Sequence, residues 1–353
     1  MKIISLEFKD DSTNWTLEKI HFGQLNLLVG ASGVGKTKIL NVIKTLQDLA
    51  MGNTTRAISW STIFVTLDEK TYHWSGQTTV YGLIDNEQLS LNNKIILERQ
   101  QNDIIFQGNQ IPKLNNKESI INILNQEEDI KPAFRAFQKI IFSEMPDVPI
   151  NYLYKKIDDL KKDIESIRNS KVPIIKKLFF TEVIDLKEFK EIETAFIDIF
   201  PSVKKIGIAV NTIPPLRNTL EIFLREHDIE HGIPQQDIST GMLKTLLQIA
   251  EIYLSPDGSL ILIDEFENSL GVNCIDDLTK NMLHAQRNLQ FILTSHHPYI
   301  INNINHQYWK LVTRNGNRVK AESMDKFNFG KSKHQAFIQL INLEEYQTGM
   351  RSL

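Results

Sequence analysis

Two short stretches of the chain hold residues whose types and spacing suit phosphate chemistry. Gly30, Ala31, Ser32, Gly33, Val34, Gly35, Lys36 and Thr37 fit the pattern G-x-x-x-x-G-K-[ST], directly after the apolar run LNLLV at 25–29. A loop of this kind turns backbone N–H groups toward a β-phosphate at a helix N-terminus. Lys36 then neutralises charge on the β- and γ-phosphates, and the Thr37 hydroxyl can ligate Mg²⁺. The second stretch, ILIDEFENSL at 261–270, gathers Asp264, Glu265 and Glu267 with no basic residue beside them. Mutual repulsion raises the cost of ionising each carboxylate, and a bound cation offsets that cost. Asp264, closing an apolar strand-like run, suits the Mg²⁺ carboxylate. Glu265, one residue on, suits a base that orients or deprotonates the water attacking a γ-phosphate.

Two further stretches are weaker by themselves. Ser239-Thr240-Gly241 precedes an amphipathic helix at 242–254, which puts a hydroxyl and backbone amides at a helix N-terminus, an anion site. Alone, Ser239 reads as an ordinary N-cap. FILTSHHP at 291–298 ends an apolar strand in His296 and His297, which alone read as a solvated turn.

The elements that must position these residues follow from periodicity. Residues 3–8, 17–22 and 25–29 read as strands, the last apolar enough to be covered on both faces. After the glycine loop, Ile39, Leu40, Val42, Ile43, Leu46 and Leu49 recur at helical spacing. Residues 60–111 alternate between apolar and polar and are broken by Gly, Asn and Asp, which predicts antiparallel hairpins. From 117 to 200 the pattern is helical, and Leu153, Ile157, Leu160, Ile164 and Ile167 step like a short coiled-coil seam. Lysines 155, 156, 161, 162, 171, 176 and 177 decorate that segment. Interleaved Asp158, Asp159, Asp163 and Glu165 make a salt-bridged solvated face the better reading than a nucleic-acid patch. Beyond Pro201, strands alternate with helices. Asn315-Gly316 sets a hairpin within 308–323, and a helical tail follows.

The P-loop, a later Ser-x-Gly before a helix, a strand ending Asp-Glu followed by Asn-Ser-Leu, and a strand ending Thr-Ser-His resemble, in this order, the motif set of ABC-type ATPase heads. The similarity is to the non-transporter branch: SMC proteins, double-strand-break repair ATPases and the OLD-like ATPases of bacterial anti-phage defence. It spans about residues 3 to 313, and the four motifs together are far more specific than any one.

The resemblance implies an α/β P-loop NTPase with a mixed central sheet, an antiparallel β layer and a helical insertion. It also implies two heads dimerising head to tail over ATP and Mg²⁺. On that basis Ser239 and Gly241 would meet the γ-phosphate from the second copy, and His296 would hold it within the same copy. Ser269 would lie at the dimer seam. Gln126 is favoured as the glutamine of the lid-connecting loop, with Gln107 and Gln138 as rivals, and Trp15 is the aromatic to weigh against the adenine. ISTGM, where a transporter has Leu-Ser-Gly-Gly-Gln, argues against a transporter subunit.

The insertion is too short for the long arms of SMC or repair proteins. The stretch beyond His296 is too short for the metal-binding nuclease domain of OLD proteins. A nuclease or toxin activity would therefore belong to a separate effector that this ATPase controls. An ATP-gated DNA-binding clamp in DNA repair or recombination is the alternative.

Composition narrows the setting. The chain of 353 residues is 41% apolar and 24% charged with a formal charge of −3, an ordinary globular balance that gives no global signal for nucleic acid. The single cysteine, Cys274, excludes a disulfide framework, and neither a signal peptide nor a membrane span is legible, so the expectation is a cytoplasmic protein, to which the resemblance adds a homodimer or higher oligomer. The segments divide as an N-terminal ATPase lobe at 1–116, a helical lid at 117–205, a C-terminal ATPase lobe at 206–320 and a tail at 321–353.

Overall fold

The computed structural model describes residues 1–143, 163–211, 219–228, 231–267, 275–284, 287–327, 330 and 332–350. The chain parts into two compact units. The first is Met1–Phe142, Gly258–Phe266 and Arg287–Leu353, and the second is Ser143–Asp257 and Glu267–Gln286.

In chain order the first unit opens with β1 (Lys2–Asp10), β2 (Trp15–His21), β3 (Leu25–Val29) and α1 (Lys36–Ala50). Then come β4 (Ile58–Val65), β5 (Thr71–Thr78), β6 (Ile84–Leu91), β7 (Lys94–Gln100), β8 (Asp103–Phe106) and β9 (Asn109–Ile111), followed by α2 (Ile120–Ile123), α3 (Lys131–Phe137) and β10 (Ile140–Phe142). The second unit holds α4 (Ile164–Asn169), α5 (Ile174–Val183), α6 (Lys187–Ile199), β11 (Val203–Asn211), β12 (Thr219–Glu226), β13 (Ile233–Pro234) and α7 (Thr240–Leu254). The chain returns to the first unit for β14 (Leu260–Ile263), leaves it for α8 (Ile275–His284), and comes back as β15 (Gln290–Thr294) and α9 (Pro298–Asn303). It ends with β16 (Trp309–Asn315), β17 (Arg318–Ser323), α10 (Lys333–Ile341) and α11 (Glu344–Thr348).

One 14-stranded sheet organises the first unit, in the order β10-β14-β15-β3-β16-β17-β2-β1-β4-β5-β6-β7-β8-β9. The strands β10, β14, β15, β3 and β16 run parallel. Parallel strands covered on both faces must be apolar throughout, and every residue of β3, β14 and β15 is buried. Their polar members are satisfied inside: Asn26 Nδ2 donates to the carbonyls of Gly23 and Phe291, and Gln290 Nε2 donates to those of Ile3 and Gly23. The expected hairpins appear as β4 to β9. They continue the central sheet through β1 and carry a core in which Trp74 and Phe64 both meet Phe137 edge-on at 5.1 Å.

The structure corrects three details. The helical reading of 117–200 misses β10, whose Ile140 to Phe142 pair with Leu260 to Leu262; three residues are too few to display a period. Of the strands read after Pro201, the first two form no part of the central sheet, because β11 and β12 make a separate three-stranded antiparallel sheet with β13 in the second unit. Lys177 leaves the supposed basic face: it is buried, and its ammonium donates to the carbonyls of Arg168 and Leu254. Of the seam, Leu153, Ile157 and Leu160 lie outside the described residues, while Ile167 is buried on α4. Among the described residues, no helix is long and apolar enough to cross a membrane.

Candidate functional site

The parallel strands bring their carboxyl ends to one edge of the sheet, and the residues of the first unit expected to handle phosphate collect there. The glycine loop leaves β3 and enters α1 with Gly35 as N-cap in the left-handed region, φ 108°. Gly30 lies against the neighbouring strand so closely that a Cβ there would collide with the carbonyl oxygen of Val312. A glycine is therefore required at the strand end as well as at the helix start. The helix is held by the predicted face: Ile39, Leu40, Val42, Ile43, Leu46 and Leu49 are all buried. Ala31 is half-buried and Val34 buried, while Ser32 and Gly33 face solvent at the loop crest.

Lys36 folds over the loop, and its ammonium donates to the carbonyls of Gly30 and Ala31 at 2.8 Å each. It also approaches His296 Nδ1 at 3.2 Å. An ammonium only donates, so Nδ1 must accept, and the neutral imidazole then carries its proton on Nε2. His296 is exposed at the end of β15. The P-loop lysine and the histidine some 260 positions later in the chain thus meet at one point.

On the other side of the loop, Thr37 Oγ1 donates to Asp264 Oδ1 at 3.1 Å. The same oxygen accepts from the Thr294 hydroxyl at 2.5 Å. Both donors use Oδ1, and among the described residues Oδ2 takes no hydrogen bond from the protein. A carboxylate oxygen without a protein donor beside a threonine hydroxyl is a pair of hard oxygen ligands, which fits Mg²⁺. Glu265 is exposed, and its backbone is left-handed at φ 46°. Its N–H donates to Thr294 Oγ1 at 2.8 Å.

Other expected residues lie elsewhere. Ser239 caps α7, its hydroxyl accepting from Met242 N at 3.2 Å, and Ser239 and Thr240 are exposed in the second unit, with Gly241 half-buried. Gln126 is not brought to the loop: its amide donates to Asn125 Oδ1, and it lines a cavity of about 570 Å³ with Thr66, Lys131 and Arg135. Its rival Gln107 is occupied with Asp129. Trp15 is no adenine platform, because it is 4% exposed beneath Gly35, with the Lys38 ammonium 4.2 Å from its ring centre. Ser269 lies outside the described residues. Sequence reasoning missed Thr294. The signal was its place in the Thr-Ser-His ending of β15, but nothing in one sequence says that this hydroxyl turns toward the end of β14.

A family model described as "AAA domain, putative AbiEii toxin, Type IV TA system" matches residues 110–302, more than half of the chain. That span contains Ser239, Asp264, Glu265 and His296 and begins beyond the P-loop. Among solved structures, the Smc head bound to the C-winged helix domain of ScpA is similar with a TM-score of 0.54 and 14% identity, over 92% of this chain and 99% of that one. An Smc head with an extended coiled coil, bound to the C-terminal domain of ScpA derived from Pyrococcus furiosus, is similar with a TM-score of 0.53 and 13% identity, over 92% and 97%. These likenesses show a shared fold, that of the Smc head domain. A search of curated proteins finds no match.

Proposed function

The chain belongs to the AAA_21 family of AAA-domain ATPases, and from that premise we propose that it binds ATP with Mg²⁺ on its P-loop and hydrolyses it. In this reading the backbone of residues 30–37 cradles the phosphates and Lys36 neutralises them. Thr37 and Asp264 hold the metal, which draws off negative charge from the β- and γ-phosphates. Glu265 orients or deprotonates the attacking water, and His296 Nε2–H donates to the γ-phosphate. The observation that carries the reading is the Thr37–Asp264 contact at 3.1 Å, which ties the start of α1 to the end of β14 beside the Lys36–His296 contact.

The exposed N-terminus of α7, with Ser239, Thr240 and Gly241, supports head-to-tail closure in which a second copy supplies these groups to the same ATP. The family description, which names a putative toxin and a Type IV TA system, supports a toxin–antitoxin-like setting, in which we infer a role in anti-phage defence with this ATPase controlling a separate effector. The test of the site is phosphate release and ATP binding by the purified chain. Wild type should release phosphate only with Mg²⁺, Lys36→Ala should lose ATP binding, and Asp264→Asn should bind ATP without responding to Mg²⁺. Metal-independent hydrolysis, or an Asp264→Asn variant with normal Mg²⁺ dependence, contradicts the assignment.

A further inference from the structure

We propose that Thr294 is the positioning residue of the hydrolytic centre, its hydroxyl setting both the Asp264 carboxylate and the backbone turn that presents Glu265. The proposal rests on reading that centre as an ATPase site. Three consecutive residues at the end of β14 are held by this one residue at the end of β15. The hydroxyl donates to Asp264 Oδ1 at 2.5 Å and accepts from the Glu265 N–H at 2.8 Å. The Thr294 carbonyl accepts from Phe266 N at 2.9 Å.

Thr294 is 1% exposed, so water does not replace these bonds. Its hydroxyl has one proton and is committed in both directions, as donor to a carboxylate and acceptor from an amide. Glu265 needs this support because a side chain at φ 46° sits in a region that L-residues leave unless their surroundings fix it. The geometry also explains why Asp264 Oδ2 is left to a cation: two threonine hydroxyls, one from the P-loop helix and one from β15, both occupy Oδ1.

A valine in place of Thr294 keeps the branched shape and the backbone bond to Phe266 but removes both hydroxyl bonds. A serine keeps the hydroxyl and removes only a methyl group. The pair therefore separates hydrogen bonding from packing. Thr294→Val, Thr294→Ser and wild type are compared for melting temperature, ATP affinity with Mg²⁺ chelated, the Mg²⁺ concentration giving half-maximal nucleotide binding, and kcat.

Thr294→Val is expected to bind ATP normally without metal and to need more Mg²⁺. Its kcat should fall about 100-fold, the scale of a misplacement near 1 Å. Thr294→Ser should stay within about threefold of wild type on each measure, a change of under 1 kcal/mol. Normal Mg²⁺ dependence and kcat in Thr294→Val, or a serine variant as impaired as the valine, overturns the proposal. If wild type binds ATP without turning it over, the hydrolytic reading of the site fails by itself, and the Mg²⁺ titration of the two variants still decides whether Thr294 sets Asp264. If wild type binds no ATP, both fall together.

Discussion

At the scale of single residues, the site is built from contacts that admit little substitution. Gly30→Ala would drive a Cβ into the Val312 carbonyl where β3 abuts β16. Backbone strain of this kind costs roughly 1–3 kcal/mol. The variant should melt several degrees lower and bind ATP more weakly, which calorimetry and a nucleotide titration would read; wild-type values on both would contradict the close approach.

A second residue-scale expectation concerns Glu251, on α7 in the second unit, whose carboxyl is pushed up to about 7 by burial against the opposing pull of Ser143 and Lys177. A carboxyl raised above its ordinary value is favoured in the protonated form when folded. Its contribution to stability is fully present below about 4.5 and is lost as pH rises through about 7. Wild type should therefore lose on the order of 3 kcal/mol across that window through this group. Glu251→Gln should flatten this part of the profile in denaturant melts between pH 5 and 8; an unchanged slope would show that Glu251 does not titrate there.

At the scale of elements, the glycine loop has support from outside its own strand and helix. The turn after α11 places Gly349, at φ 69°, against the loop, where an added Cβ would meet Val34 Cγ1 at 2.6 Å and Ala31 Cβ at 3.2 Å. The Gly349 carbonyl is anchored by the Arg314 N–H of β16 at 2.7 Å. Gly349→Ala should weaken ATP binding roughly tenfold, about 1.4 kcal/mol, by displacing Val34. An unchanged affinity would mean that the tail yields instead of the loop.

The same scale shows what a sequence can and cannot carry. The loop, the buried face of α1 and the β16–β17 hairpin at Asn315-Gly316 were legible because each is fixed by neighbours within one or two turns of chain. Strand β10 was not, since Ile140 to Phe142 gain their identity only from β14, more than a hundred residues on. The contacts of Thr294 with Asp264 and of Gly349 with Val34 were equally invisible, because each joins segments that only the folded sheet brings together. Gln126 illustrates the converse: a glutamine beside a helical segment satisfied the sequence argument, while the fold sends it to a cavity edged by α3.

At the scale of the whole molecule, the P-loop, Asp264 and His296 share one unit, while Ser239 and Gly241 stand on the other. Under the proposed closure by a second copy, each hydrolytic event requires assembly and then separation. Turnover by the isolated chain should consequently be slow, far below about 100 per second. The most direct measurement is light scattering of Glu265→Gln with Mg²⁺ and ATP, paired with phosphate release. The account predicts retained ATP binding, no hydrolysis, and a dimer that accumulates with ATP and not with ADP. A Glu265→Gln variant that hydrolyses ATP as fast as wild type, or that stays monomeric when saturated with ATP, would contradict it.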